Sequence, residues 1–218
     1  MRRLIVLIGL LTIGSSSICA QECCPRWELF GGYSYLNSSA TGDLITSTQF
    51  NGRYGLQGFG VNLAGNFSRR LGIAADFSFN RRASNLGGLD VGGIHIGDAR
   101  TTLRSYSFLF GPRFSTRDGG IKFFAEGLAG FARRDANLRG SLGTGGAGAS
   151  DAFHLSSNSF AFALGGGVDI EASKHISIRL LQFDYIPAKV AGNSSSEGAW
   201  SHNYRLQGGL ALRWGLVK

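Results

Sequence analysis

The chain has 218 residues, of which 43% are hydrophobic and 17% charged, with a formal net charge of +8. That is too apolar for a disordered chain and sparse in charge for a cytosolic enzyme, while the length allows one ordinary domain or one closed barrel. The 34 glycines follow no three-residue period, which excludes collagen, and the 16 phenylalanines supply a large apolar surface.

Arg2 and Arg3 precede an apolar run from Leu4 to Ile13, followed by Gly14, Ser15, Ser16, Ser17 and Ala20. A basic start, a short apolar stretch and a small residue at the cut mark a secretory signal peptide, with cleavage expected after Ala20. Residues 1–20 are read as that leader and 21–218 as one barrel domain. Loss of Arg2 and Arg3 with the leader lowers the net charge by two. The apolar run is too short to span a bilayer, and Ile18 is bulky where a lipoprotein signal at Cys19 needs a small residue. Cys23 and Cys24 are adjacent, so they cannot staple distant elements. No histidine or further cysteine of the mature chain lies nearby to complete a metal site, and the pair is read as exposed near the mature N-terminus.

Beyond the leader the dominant period is two. Eight segments alternate. Trp27, Leu29, Gly31, Tyr33 and Tyr35 share one face of the first, and Phe59, Val61, Leu63, Gly65 and Phe67 one face of the second. Leu71, Ile73, Ala75, Phe77 and Phe79 follow, then Tyr106, Phe108 and Phe110, then Ile121, Phe123, Ala125, Gly127, Ala129 and Phe131. The last three carry Phe160 to Ile170, Ile176 to Leu180, and Tyr204 to Trp214 in the same phase. None of these faces is charged. The opposite faces are small or polar and carry Glu28, Asn62, Asp76, Arg113, Lys122, Glu126, Asp169, Arg179, Arg205, Gln207 and Arg213, four acids against five bases.

An apolar face on every strand needs a second sheet or lipid to cover it. The connections favour lipid. Residues 68–70, 115–120 and 171–175 are short links, and they alternate with long polar ones at 37–56, 81–102, 133–159 and 186–203. Transmembrane barrels have that alternation, with strands of about ten residues and an even strand count. Trp27 and Trp214 fall at the inferred periplasmic rim, and Tyr35 and Tyr204 at the outer rim, where rings with a polar tip are favoured. The seventh segment is irregular. If Ile178 and Leu180 point outward, Gln182 and Asp184 follow them into lipid, at about 2–4 kcal/mol for a charge near the midplane. Asp184 either lies at the outer rim or, as favoured here, a bulge near Leu181 resets the alternation so that Phe183 and Tyr185 face out.

The chain resembles the small outer-membrane β-barrels of the OmpA transmembrane-domain type, including OmpX-like proteins. The resemblance rests on residues 27–35 (WELFGGYSY), 123–130 (FFAEGLAG) and 206–214 (LQGGLALRW), and on the eightfold repetition across Trp27 to Trp214. Trp214 is similar to the family's terminal assembly aromatic, although four residues follow it. The resemblance implies an all-β, eight-stranded, up-and-down transmembrane barrel in a bacterial outer membrane.

An eight-stranded barrel is just wide enough for its own side chains to fill. The polar set Glu28, Asp76, Arg113, Lys122, Glu126, Asp169, Arg179, Arg205 and Arg213 is expected to plug it, and a wide channel is not expected. The favoured reading is a monomer that meets outer-membrane lipid with its wall and a surface ligand with its four outer loops. A second reading is a lipid-modifying enzyme using His154 beside Asp151, Ser156 and Ser157, or His202 beside Ser201. A third is a soluble secreted barrel for a small apolar ligand. No catalytic residue, cofactor or metal is assigned. The bases are too scattered for nucleic acid, but Arg81, Arg82, Arg100, Arg133, Arg134 and Arg139 fall near the outer rim, where lipid phosphates would lie.

Overall fold

The computed structural model describes residues 25–39, 53–86, 89–91, 94–96, 99–116, 120–142, 149–189 and 200–216. The expected leader, the three cysteines and residues 143–148 lie outside the described residues. The described elements are β1 (Pro25–Ser39), β2 (Arg53–Asn66), β3 (Leu71–Leu86), β4 (Leu89–Val91), β5 (Ile94–Ile96), β6 (Ala99–Ser115), β7 (Ile121–Leu142), β8 (Ala149–Glu171), β9 (Ile176–Lys189) and β10 (Trp200–Leu216). Eight of them close an antiparallel barrel in the order β1-β10-β9-β8-β7-β6-β3-β2, while β4 and β5 pair only with each other.

Closure follows from the alternation. Each strand turns large apolar side chains outward, among them Leu29, Leu63, Ile73, Phe110, Phe123, Phe162, Ile178 and Leu212, and along this apolar belt the charged residues are kept within. This inverts a soluble β-protein, and it leaves an apolar wall that lipid can cover. From Ile121 to Phe131 the belt runs ten steps along β7, about 33 Å of strand and about 25 Å once tilted by about 40°. That matches a hydrocarbon core. The three short links sit at the end where Pro25 pairs with Leu216, and all four long connections leave from the other end.

The irregularity in the seventh barrel strand is a bulge. Val168 pairs with Leu181 and Asp169 with Arg179, so Leu180 is the extra residue; on the other side the register shifts between Gln207 and Gly209. Leu180 and Leu181 are both exposed, at 57% and 51%, and Gln182 and Asp184 are then buried, at 0% and 1%.

Two of the links read as long loops are largely sheet. β3 continues to Leu86 and β6 begins at Ala99, with Leu86 opposite Ala99. β7 and β8 stay paired from Arg133–Asn158 to Leu142–Ala149. Residues 133–142 and 149–159 are therefore a β-ribbon carrying the wall upward. Their polar composition had hidden their strand character, because sheet above a membrane has no lipid-facing apolar side to fill.

The wall is narrow enough to need glycine at some close approaches. A Cβ on Gly58 would run into the carbonyl oxygen of Phe79, whereas one on Gly31 or Gly127 would meet nothing within 4 Å. We expect Gly58→Ala to lose about 1–3 kcal/mol of stability, as overpacked sites do, and Gly31→Ala to lose almost none. Urea midpoints of the refolded barrel check both.

Candidate functional site

The interior is the first place where chemistry gathers. Asp184, brought inward by the bulge, makes the buried charges five against five: Glu28, Asp76, Glu126, Asp169 and Asp184 with Arg113, Lys122, Arg179, Arg205 and Arg213. Arg205 on β10 spans two acids, reaching Asp76 at 2.6 Å and Asp184 at 2.8 Å. Arg179 on β9 grips Asp169 with two nitrogens, at 2.8 and 3.2 Å, and donates to the Gln182 amide oxygen at 2.6 Å. The Gln182 amide nitrogen donates to Glu126 and to Asp184. Arg113 lies 3.8 Å from Asp169 and 3.6 Å from Glu28, and donates to Asn62, which donates to Asp76. Arg113, Asp169, Arg179, Gln182, Asp184, Arg205, Asp76 and Asn62 thus form a closed circuit across six strands.

Lys122 on β7 adds Glu28 on β1 to this circuit, and Asn66 donates to the same carboxylate. Arg213 pairs with Glu171 and donates to the Ser173 carbonyl at the short-link end. Two inward rings complete the set. Arg179 stacks 4.2 Å from both Phe30 and Phe124, and Arg113 4.0 Å from Phe124, a favourable placement for a desolvated guanidinium. The nine charged residues singled out in the sequence are all buried here. Lys122 meets Glu28, and Glu126 accepts a hydrogen bond from Gln182. Asp184, Gln182, Phe30 and Phe124 were not in that set, although both phenylalanines stand in phase with the charged face.

Toward the long-connection end the interior loses its ion pairs and mixes large apolar side chains with small polar ones such as Ser38, Asn80, Thr101, Ser201 and Asn203. Leu36, Tyr54, Leu56, Leu103, Ala132, Ala136, Ile186 and Ala188 are buried in one cluster. The alternation alone had marked this face as small or polar throughout. Beside that cluster Ser38 donates to Asn203, and Arg134 donates to Ser201 and Asn203.

The outer surface at the same end is the second candidate. Cross-strand rows run around β2, β3, β6, β7 and β8. The lowest of three reads Val61, Phe77, Phe108, Phe131 and Phe160; the next reads Phe59, Phe79, Tyr106, Arg133 and Asn158; the third reads Gln57, Arg81, Arg104, Asp135 and Ser156. The rings of Phe59, Phe79 and Tyr106 touch in sequence, at 5.7 and 5.0 Å. The wall therefore changes from apolar to aromatic to charged within three rows. Across the barrel the guanidinium of Arg53 lies 4.7 Å above the Tyr204 ring, and the Tyr185 hydroxyl shares a hydrogen bond with His202 Nδ1.

Of the rim aromatics, Trp27 and Trp214 pair directly at the short-link end, Tyr204 is exposed at the other end, and Tyr35 is half-buried there. His154 is exposed on β8, and His175 lies in a short link at the opposite end. Among the described residues no histidine ring bonds a serine or a carboxylate, and no cluster of metal-ligating side chains occurs. The side chains of Arg100, Arg139 and Asp151 lie outside the described residues.

Removing Arg205 leaves Asp76 and Asp184 buried without their shared cation. We expect Arg205→Leu to cost about 3–5 kcal/mol, as breaking a buried pair does, and the added pair Asp76→Asn with Asp184→Asn to recover part of the loss. The urea midpoints of the single and triple variants test this.

No family model matches the chain, and no curated protein does. Among solved structures it is similar to Ail, the attachment invasion locus protein of Yersinia pestis, with a TM-score of 0.56 and 18% identity over 89% of this chain and 100% of that one. Ail in complex with the heparin analogue sucrose octasulfate gives a TM-score of 0.55 and 17% identity over the same shares. The outer membrane protein OprG of Pseudomonas aeruginosa has a TM-score of 0.45 and 14% identity, over 88% of this chain and 97% of that one. The fold is that of the small eight-stranded transmembrane barrels.

Proposed function

We propose that this protein is a monomeric, non-enzymatic bacterial outer-membrane barrel that anchors a surface-contact sheet. On this reading the short links face the periplasm, the long connections face outward, and the ion-pair circuit plugs the interior. The observation that carries it is the β7–β8 ribbon. It continues from the lipid belt without a break and rises by about ten residues, about 30 Å of strand. β8 pairs with β9 only from Phe160 onward. Among the described residues, the edge of β8 from Ala149 to Ser159 has no neighbour on that side. An open edge presents backbone donors and acceptors to which an extended segment of another protein can pair. A role in attachment is also the one that the name of Ail carries for that protein.

A closed barrel pairs its backbone groups without a partner subunit, which supports the monomer. The alternative of a lipid-modifying enzyme through His154 or His202 rests on serines beside them in the sequence, and among the described residues neither ring bonds a serine; His202 bonds the Tyr185 hydroxyl instead.

Two measurements test the reading. The protein should enter the outer-membrane fraction and shift in gel mobility on boiling, because a closed barrel resists SDS until heated. Recovery from the soluble periplasm with no shift would overturn it. Replacing residues 136–155 by a two-residue turn should keep the shift and abolish attachment of cells to host or neighbour surfaces. Unchanged attachment would remove the contact role and leave the barrel.

A further inference from the structure

Arg81 on β3 and Arg104 on β6 stand directly opposite each other and point outward, both exposed. Directly opposed residues have Cβ atoms about 4.5–5.5 Å apart, and like charges there repel. Neither guanidinium has a partner among the described residues. Arg133 joins them from β7, one row lower beside Tyr106. The one carboxylate in this group is Asp135, which faces Arg104 in register but takes its hydrogen bond from Arg133 Nε, at 3.1 Å. Three cations and one anion leave an excess of positive charge on one patch.

The height of the patch matters as much as its charge. Immediately below lie the linked rings of Phe59, Phe79 and Tyr106, and below them the wholly apolar row Val61, Phe77, Phe108, Phe131 and Phe160. A ligand suited to this wall has an anionic head at the level of the arginines and hydrocarbon at the level of the phenylalanines. Two guanidiniums about 5 Å apart at their Cβ atoms can converge on one phosphate, each through paired N–H donors.

Resting on the membrane reading above, we propose that Arg81, Arg104 and Arg133 form a binding site for the phosphate of an outer-leaflet lipid, whose chains lie along the phenylalanine rows. The lipid phosphate takes the place of the counter-ion that the opposed arginines lack, and it fixes the depth and rotation of the barrel in the leaflet.

The test uses the full chain in dodecylmaltoside micelles, which carry no phosphate. The readout is the temperature at which the SDS-resistant form is lost as lipid is titrated in. Bis-phosphorylated lipid A should raise this temperature, and dephosphorylated lipid A or millimolar inorganic phosphate should not. The double variant Arg81→Gln/Arg104→Gln should need about tenfold more lipid A for the same rise, having lost two charge-assisted contacts. In micelles alone it should be at least as heat-resistant as the natural protein, since a repulsion is relieved, so misfolding is distinguished from lost binding. Lys189→Gln, which removes a charge at the same end away from the patch, should behave as the natural protein does. An equal response of the double variant, or equal protection by dephosphorylated lipid A or by inorganic phosphate, would overturn the site while leaving the barrel reading intact. Failure to form any SDS-resistant species would overturn both.

Discussion

Ten charged side chains enclosed by eight strands have to find their counter-charges within the barrel or at its short-link rim, because the apolar outer wall carries none. Much of the architecture follows from that constraint. Arg205 needs both Asp76 and Asp184, and these come from strands on opposite sides of β10 in the barrel order. Asp184 reaches the interior because β9 spends one extra residue at Leu180. Without that bulge Gln182 and Asp184 would face lipid, Arg205 would lose one acid, and Arg179 would lose the amide that relays it to Glu126. A local backbone irregularity and a long-range charge balance are thus one requirement. Buried ion pairs add little net stability by themselves, but an incomplete set is costly. The circuit therefore acts on specificity: a register slip of one residue on any contributing strand turns its charges outward.

Most of this was legible in the sequence. Alternation placed the outward faces of all eight strands, and the contradiction at Gln182 and Asp184 pointed to a bulge near Leu181. What alternation cannot convey is which inward residues meet. Lys122 pairs with Glu28 because β7 stands opposite β1 across the closed barrel, a contact between residues far apart in the chain. Glu126 meets an amide because Arg113 is held elsewhere by Asn62, Glu28 and Asp169.

Two misreadings share a cause. Residues 133–159 read as a loop, and the small or polar reading of the inward face missed the large apolar side chains near the mouth, because both judgements assumed that the lipid zone sets the pattern everywhere. Above that zone the rule changes. The ribbon turns Arg133, Ser156 and Asn158 outward and exposed, and so carries no apolar outer face. The interior near the mouth has Leu36, Leu56, Leu103 and Ile186 buried with Tyr54. The molecule thus stacks a charged lower interior, an upper interior of apolar and small polar side chains and a polar projecting sheet within one continuous set of strands.

That continuity has a mechanical consequence. β7 runs unbroken from Ile121 near the short links to Leu142, and β8 returns to Glu171, each flanked in the lipid zone by a neighbour on both sides. A pull on the tip of the ribbon is directed along these strands, so it loads many ladder hydrogen bonds together in shear instead of opening them one at a time. The grip of the barrel on a tethered object would therefore grow with the length of strand engaged in the wall, much as a tenon holds by its depth in the mortise.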